Sequence, residues 1–169
     1  VLGECIGLSR SPQRVPFCSA ATSENIALLG LIRASLPPEL RRFGFSTAQL
    51  NAGLRPTAHF DSANLGMSHT ISLGPFAGGG MWQSAVPRPS RFGRETLQLP
   101  PWKWNRMDGA MPHGSYPFSG HRCSVVFFLH DAVLQPVAAE VASRTAALGL
   151  VSALDPECAS RVGPVVRAR

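Results

Sequence analysis

His59-Phe60-Asp61 sets an imidazole and a carboxylate two residues apart. On a strand, positions i and i+2 face the same way, so the two side chains are expected to converge. His113 follows Pro112 in a turn-rich segment and is the expected third ligand, delivered from a distant strand. Two histidines and one carboxylate on one face of a metal leave three positions open, which suits non-haem Fe(II). The same donors also suit zinc or manganese in a hydrolase. His121 is the next imidazole along and is expected to face away from the site. Arg122-Cys123-Ser124 repeats the two-residue spacing. A guanidinium and a hydroxyl on the interior of a strand form an anion clamp, the serine completing a bidentate grip on a carboxylate. The plain alternative is an arginine at a strand entrance, salt-bridged to a neighbour. An inward-facing arginine without any partner is costly, which favours a ligand. Each pattern alone recurs by chance; the ordered set carries the weight.

These residues need strands to hold them. Phe43 to Arg122 is broken by Gly and Pro every few residues and contains short alternating runs such as Thr70-Ile71-Ser72-Leu73. Cys123 to Leu129 reads as a well-buried strand. Helices are expected on either side. One is capped by Thr22 or Ser23, carries Ile26, Leu29, Ile32 and Leu36 at helical spacing, and is stopped by Pro37-Pro38. The other starts at Pro136, runs through Val137, Val141 and Leu148, and ends at Gly149. Many short strands with flanking helices predict a mainly β jelly roll. Ala85 to Arg106 is Pro/Arg-rich and aperiodic and reads as a long surface loop. Gly78-Gly79-Gly80 lacks the strand–loop–helix setting of a phosphate cradle and reads as turn geometry. Residues 1–150 are expected to form a single domain with its core over 45–130, and 151–169 a basic tail.

Composition narrows the function classes. At 169 residues the chain is long enough to bury a real core. Its 44% hydrophobic content and mean hydropathy of +0.06 argue against a disordered chain. No apolar run approaches the roughly 18 residues of a membrane-spanning helix. Net charge is +6, and Lys103 is the only lysine, so arginine carries the charge. That balance permits nucleic acid as a partner but forms no dense basic run. The four cysteines, Cys5, Cys18, Cys123 and Cys158, form no CxxC pair, and reduced thiols in an intracellular protein are the simpler expectation.

A longer pattern surrounds the candidate ligands. It comprises Gln49-Leu50-Asn51, His59-x-Asp61-x-x-Asn64-x-Gly66-x-Ser68 and Leu73-Gly74-x-Phe76-x-Gly78-Gly79, then Asp108-Gly109, Pro112-His113 and Pro117-Phe118-x-Gly120-x-Arg122. Over about residues 45–130 the chain resembles the 2-oxoglutarate/Fe(II)-dependent dioxygenase superfamily, in particular its uncharacterised protist and algal members. The HxDxxN segment is also similar, over a short span, to the ten-eleven-translocation and J-binding-protein branch. The resemblance implies a double-stranded β-helix (cupin-like) with His59, Asp61 and His113 as iron ligands and Arg122 and Ser124 on the distal carboxylate of 2-oxoglutarate. Asn51 would also touch this cosubstrate. It implies an oxidoreductase using Fe(II), 2-oxoglutarate and O2 to hydroxylate or demethylate a substrate while converting 2-oxoglutarate to succinate. The prime substrate could be nucleic acid, a peptide or a metabolite. Asn64 and Ser68 read as turn-formers, Trp82 as core, and Trp102 and Trp104 as packing or as a stacking surface beside a substrate channel. Two other classes fit the same residues: a catalytically silent jelly-roll binding module and a basic nucleic-acid-binding domain without turnover.

Overall fold

The strands are present, and they wind between two facing antiparallel sheets. A computed structural model describes residues 2–13, 15–41, 44–85, 96–135, 139–147 and 149. The chain opens with β1 (Leu2–Arg10) and β2 (Pro16–Cys18), followed by helices α1 (Ala20–Glu24), α2 (Ile26–Ala34) and α3 (Pro38–Arg41). Next come β3 (Thr47–Ala52), β4 (Asn64–Leu73), β5 (Phe76–Gly78), β6 (Met81–Ser84), β7 (Thr96–Leu99) and β8 (Asn105–Asp108). The chain continues with β9 (His113–Ser115), β10 (Phe118–Gly120), β11 (Cys123–His130), a 3-10 turn over Asp131–Leu134, and α4 (Ala139–Ala147).

The large sheet has the order β2-β1-β3-β11-β4-β8, and the small one β7-β6-β9; β5 and β10 pair separately. His59 extends the small sheet through one backbone bridge to His113. From β3 onward the chain alternates between large and small sheets: β3, the His59 segment, β4, β6–β7, β8, β9, β11. That winding is a double-stranded β-helix.

Period-two alternation decides which face of the large sheet meets the helices. Ile6, Ala48, Ile71, Val125 and Phe127 point outward and bury themselves with Leu29, Leu36 and Phe45; Trp104 packs on this cluster. The intervening residues, among them Asn51, Ser68, Thr70, Ser72 and Ser124, point between the sheets. Most of these are buried. Apolar packing on that side is small and centres on Met81, Leu99 and Met107. Buried polar groups cost free energy unless they are hydrogen-bonded, so an interior of this kind is built around something polar.

Three expectations need correcting. Thr22 and Ser23 lie inside α1, and Asn25 precedes α2. The Thr22 hydroxyl instead accepts from Gly7 N–H at 2.8 Å, satisfying a β1 donor at a residue with φ of 107°. Pro37-Pro38 does end α2, but Pro38 then opens α3, where a missing N–H costs nothing. The stretch read as a loop over 85–106 contains β7 and the start of β8. Leu99 is buried opposite Met81, while Leu97 is exposed, so the anchoring signal is only one residue long. Residues 86–95, the helix start at Pro136 and the tail 151–169 lie outside the described residues. Gly149 stands past α4 as expected, with φ of 64° and its N–H on Ala146 O. Among the described residues no helix is long and apolar enough to cross a membrane.

Candidate metal centre

His59, Asp61 and His113 meet at the rim where the small sheet ends, each offering one donor atom within 4.8 Å of the others. The mounting differs from the expected shared strand face. Paired N–H···O bonds of 3.0 and 2.8 Å lock His59 to His113. Asp61 lies past this bridge and is held by its own N–H on Gly109 O at 2.8 Å. Its carboxylate oxygens stand 3.7 Å from His59 Nε2 and 3.5 Å from His113 Nε2.

Both imidazoles are oriented by the main chain. His59 Nδ1 donates to Thr57 O at 2.7 Å, and His113 Nδ1 donates to Met111 O at 2.8 Å. A carbonyl only accepts, so the proton sits on Nδ1 and the Nε2 lone pair is left for a ligand. Burial pushes His113 below the ordinary histidine range, against the opposing pull of Met111 O and Asp61, which favours the neutral, ligating form. His113 is buried, whereas the His59 side chain is 41% exposed. Asn64, read from sequence as a turn-former, starts β4 and is buried; its amide donates to Asp61 Oδ2 at 3.1 Å. Gly109 makes room for it, since a Cβ there would lie 2.4 Å from Asn64 Nδ2.

A cavity of about 560 Å³ runs inward from the triad between the sheets, and Arg122 lies in its wall. Arg122 is 3% exposed and has no carboxylate partner among the described residues. Its Nη2 donates to Ser72 Oγ at 2.8 Å and its Nη1 to Leu54 O at 3.4 Å, while Nε has no partner. Phe118 lies beneath the guanidinium, 5.5 Å from ring centre to Cζ. Burial lowers its pKa from the ordinary arginine value. Ser124 is one position inside β11, directly between Asn51 of β3 and Ser72 of β4. Its hydroxyl accepts from Asn51 Nδ2 at 3.3 Å, so the hydroxyl on the guanidinium is that of Ser72. Asn51, Arg122 and Ser124 thus all line the same cavity as the triad.

The donor set fits a divalent cation: two neutral imidazole nitrogens and one anionic carboxylate, open on the cavity side. The partnerless Arg122 Nε fits an anionic ligand deeper in. His121 is exposed and lies outside this wall. Trp82, Trp102 and Trp104 are not among its lining residues either. Trp104 stacks on core Phe127 at 5.6 Å, Trp82 covers Gly114, and exposed Trp102 lies over Phe76. Sequence reasoning missed Ser72, Ser115 and His130 in the interior. The polar residues at alternate positions of β4, Ser68, Thr70 and Ser72, were the available signal.

No family model matches the chain, and no curated protein matches it. Solved structures do. One is described as NgTET1 in complex with 5mC DNA: TM-score 0.53, 14% identity, covering 77% of this chain and 61% of that one. Another is a 2OG-Fe(II) oxygenase family oxidoreductase from Burkholderia pseudomallei: TM-score 0.51, 21% identity, covering 75% of this chain and 64% of that one. The match therefore spans under two thirds of either neighbour. With the winding of its sheets and these likenesses, the chain has the cupin-like double-stranded β-helix fold of the 2OG-Fe(II) oxygenases.

Proposed function

We propose that the protein is a 2-oxoglutarate- and Fe(II)-dependent dioxygenase that hydroxylates or demethylates its substrate and converts 2-oxoglutarate to succinate. The observation that carries this reading is one cavity with a three-donor cation site at its mouth and, in its wall, a buried guanidinium that has no carboxylate partner among the described residues. His59 and His113 would hold iron through Nε2, and Asp61 through its carboxylate. When bound, Fe(II) with 2-oxoglutarate supplies the oxidising chemistry that activates O2 toward a C–H bond. The chain's own work is placement. Thr57 O and Met111 O fix the imidazole tautomers, and Asn64 fixes the carboxylate. Arg122, braced by Ser72, would bind the far carboxylate of 2-oxoglutarate as a charge-assisted pair. Asn51 and Ser124 would line the acid's seat, and the two sheets exclude bulk water from it.

Anaerobic addition of Fe(II) and 2-oxoglutarate tests this directly. A visible metal-to-ligand absorption band that weakens in Arg122→Ala is expected, together with succinate release in air. Absence of the band in the intact protein rejects the reading, and a band without 2-oxoglutarate consumption across candidate substrates points to a silent binding module. For the prime substrate, nucleic acid is supported by the net charge of +6 and by the NgTET1 neighbour's being bound to 5mC DNA. Steeply salt-dependent DNA or RNA binding is the expected result; salt-independent binding removes that substrate class.

A further inference from the structure

This inference rests on the nucleic-acid reading of the partner and not on the iron chemistry. It concerns the turn between β7 and β8, outside the cavity. Trp102 is the only non-glycine residue with a positive φ among the described residues, at 63°. That left-handed region suits Gly or Asn, and a bulky ring in it is an outlier. The turn is firmly held all the same. Trp102 N–H donates to Ser72 O at 2.9 Å, and the Asn105 side-chain amide donates to Pro100 O at 2.8 Å and to Lys103 O at 2.7 Å. Pro100 and Pro101 fix φ at its entry. What this braced turn holds out is an indole. Trp102 is 60% exposed, joins no core cluster, and lies nearly parallel to Phe76, at 10° with ring centres 6.2 Å apart. Trp104, two residues on, does the packing instead.

Two cations flank this ring. Lys103 and Arg106 are exposed, and neither forms an ion pair with a carboxylate among the described residues. β8 is an edge strand of the large sheet, with Asn105 opposite Thr70 and Arg106 opposite His69 on β4. From Ser72, which holds Trp102, to His69 is therefore about 10 Å along this edge, the length of about three stacked nucleotides at about 3.4 Å each. We propose that the edge formed by Trp102, Lys103 and Arg106 binds a single-stranded nucleic acid, one base stacking on the indole and phosphates pairing with the two cations. Stacking on an aromatic ring beside basic side chains is how single strands are held without base-edge readout. An acidic peptide would match the cations and leave the planar ring without a counterpart.

The test is fluorescence anisotropy of a short labelled oligothymidylate titrated with metal-free protein, beside an abasic strand of equal length. The natural protein is expected to bind the thymidylate, with affinity falling steeply as salt rises. Trp102→Ala should weaken the thymidylate about 5- to 150-fold, the loss of one stacked base, and leave the abasic strand unchanged. Trp102→Phe keeps a π face and should recover most of that loss. Lys103→Gln and Arg106→Gln together should lower the salt slope by about 1.4 for either strand, at about 0.7 per phosphate. Equal losses for both strands in Trp102→Ala, no loss for the thymidylate, or an unchanged slope in the double variant overturn this surface and leave nucleic acid standing as the partner. If the natural protein binds neither strand, the nucleic-acid reading fails and this surface falls with it, while the iron reading keeps its own test.

Discussion

Gly109→Ala probes how Asp61 is held, because the added methyl group reaches the carboxylate only through Asn64. The new Cβ would lie 2.4 Å from Asn64 Nδ2 and 3.2–3.3 Å from Asn64 Cγ and Cβ. Asn64 is 5% exposed but lines the cavity, so its amide can turn away from Asp61 into that space, whereas Gly109 cannot retreat without stretching its 2.8 Å bond to Asp61 N–H. Because the clash falls on the far end of a side chain, its cost in folding stability lies at the low end of overpacking, about 1 kcal/mol. The amide must leave Asp61 Oδ2, and loss of a group orienting a metal ligand weakens metal affinity about 10- to 100-fold. Mn(II) titration of four proteins measures this: natural, Gly109→Ala, Asn64→Ala and the double variant. Both single variants should weaken Mn(II) to a similar degree, and the double variant should be no worse than Asn64→Ala, since the amide that the methyl group displaces is then already absent. Full Mn(II) affinity in Gly109→Ala, or losses that add in the double variant, would refute a route through Asn64.

Three further outcomes are expected. Arg122→Met removes a buried charge that lacks a carboxylate partner, so the ligand-free protein should melt at the same or a higher temperature while 2-oxoglutarate binding is lost; a large fall in melting temperature would contradict this. Ser72→Ala takes the hydroxyl from Arg122 Nη2 and should cost about 1–3 kcal/mol in denaturant unfolding, an effect that should vanish in an Arg122→Met background. His130 Nδ1 accepts from Ala132 N–H, and burial, opposed by Asp131 and aided by Arg10, holds its pKa below 6.5. The unfolded chain therefore takes up the proton first. Stability should be full above pH 6.5 and fall as the pH drops from there, and His130→Asn, which keeps an acceptor, should show a shallower acid slope. An unchanged slope would remove His130 as a cause.

The triad was legible because its chemistry lies in residue types and in a local spacing, HxD, that needs little knowledge of the fold. Its mounting was not legible. His59 and His113 are joined by a single bridge across more than fifty residues of chain, and no local pattern encodes such a pairing. The residue that hydrogen-bonds Arg122 was not legible for a similar reason. Arg122-x-Ser124 is visible along the strand, whereas Ser72 reaches the guanidinium from the neighbouring strand, and cross-strand register is set by the whole ladder. β7 was hidden because only Leu99 of its four residues is buried. Residue type alone does not separate packing from recognition for Trp102 and Trp104, since a large aromatic ring next to Lys103 serves either.

The buried guanidinium of Arg122 has a consequence for folding under the proposed reading. If an organic acid binds there as proposed, it binds only the folded chain, and at a hundred times its dissociation constant such a ligand adds about 2.7 kcal/mol to folding. Where that acid is scarce, more molecules sample the unfolded form and meet proteases; where it is plentiful, fewer do. On the proposed reading, Arg122 would couple the lifetime of the protein to the supply of that acid, whether or not it is consumed.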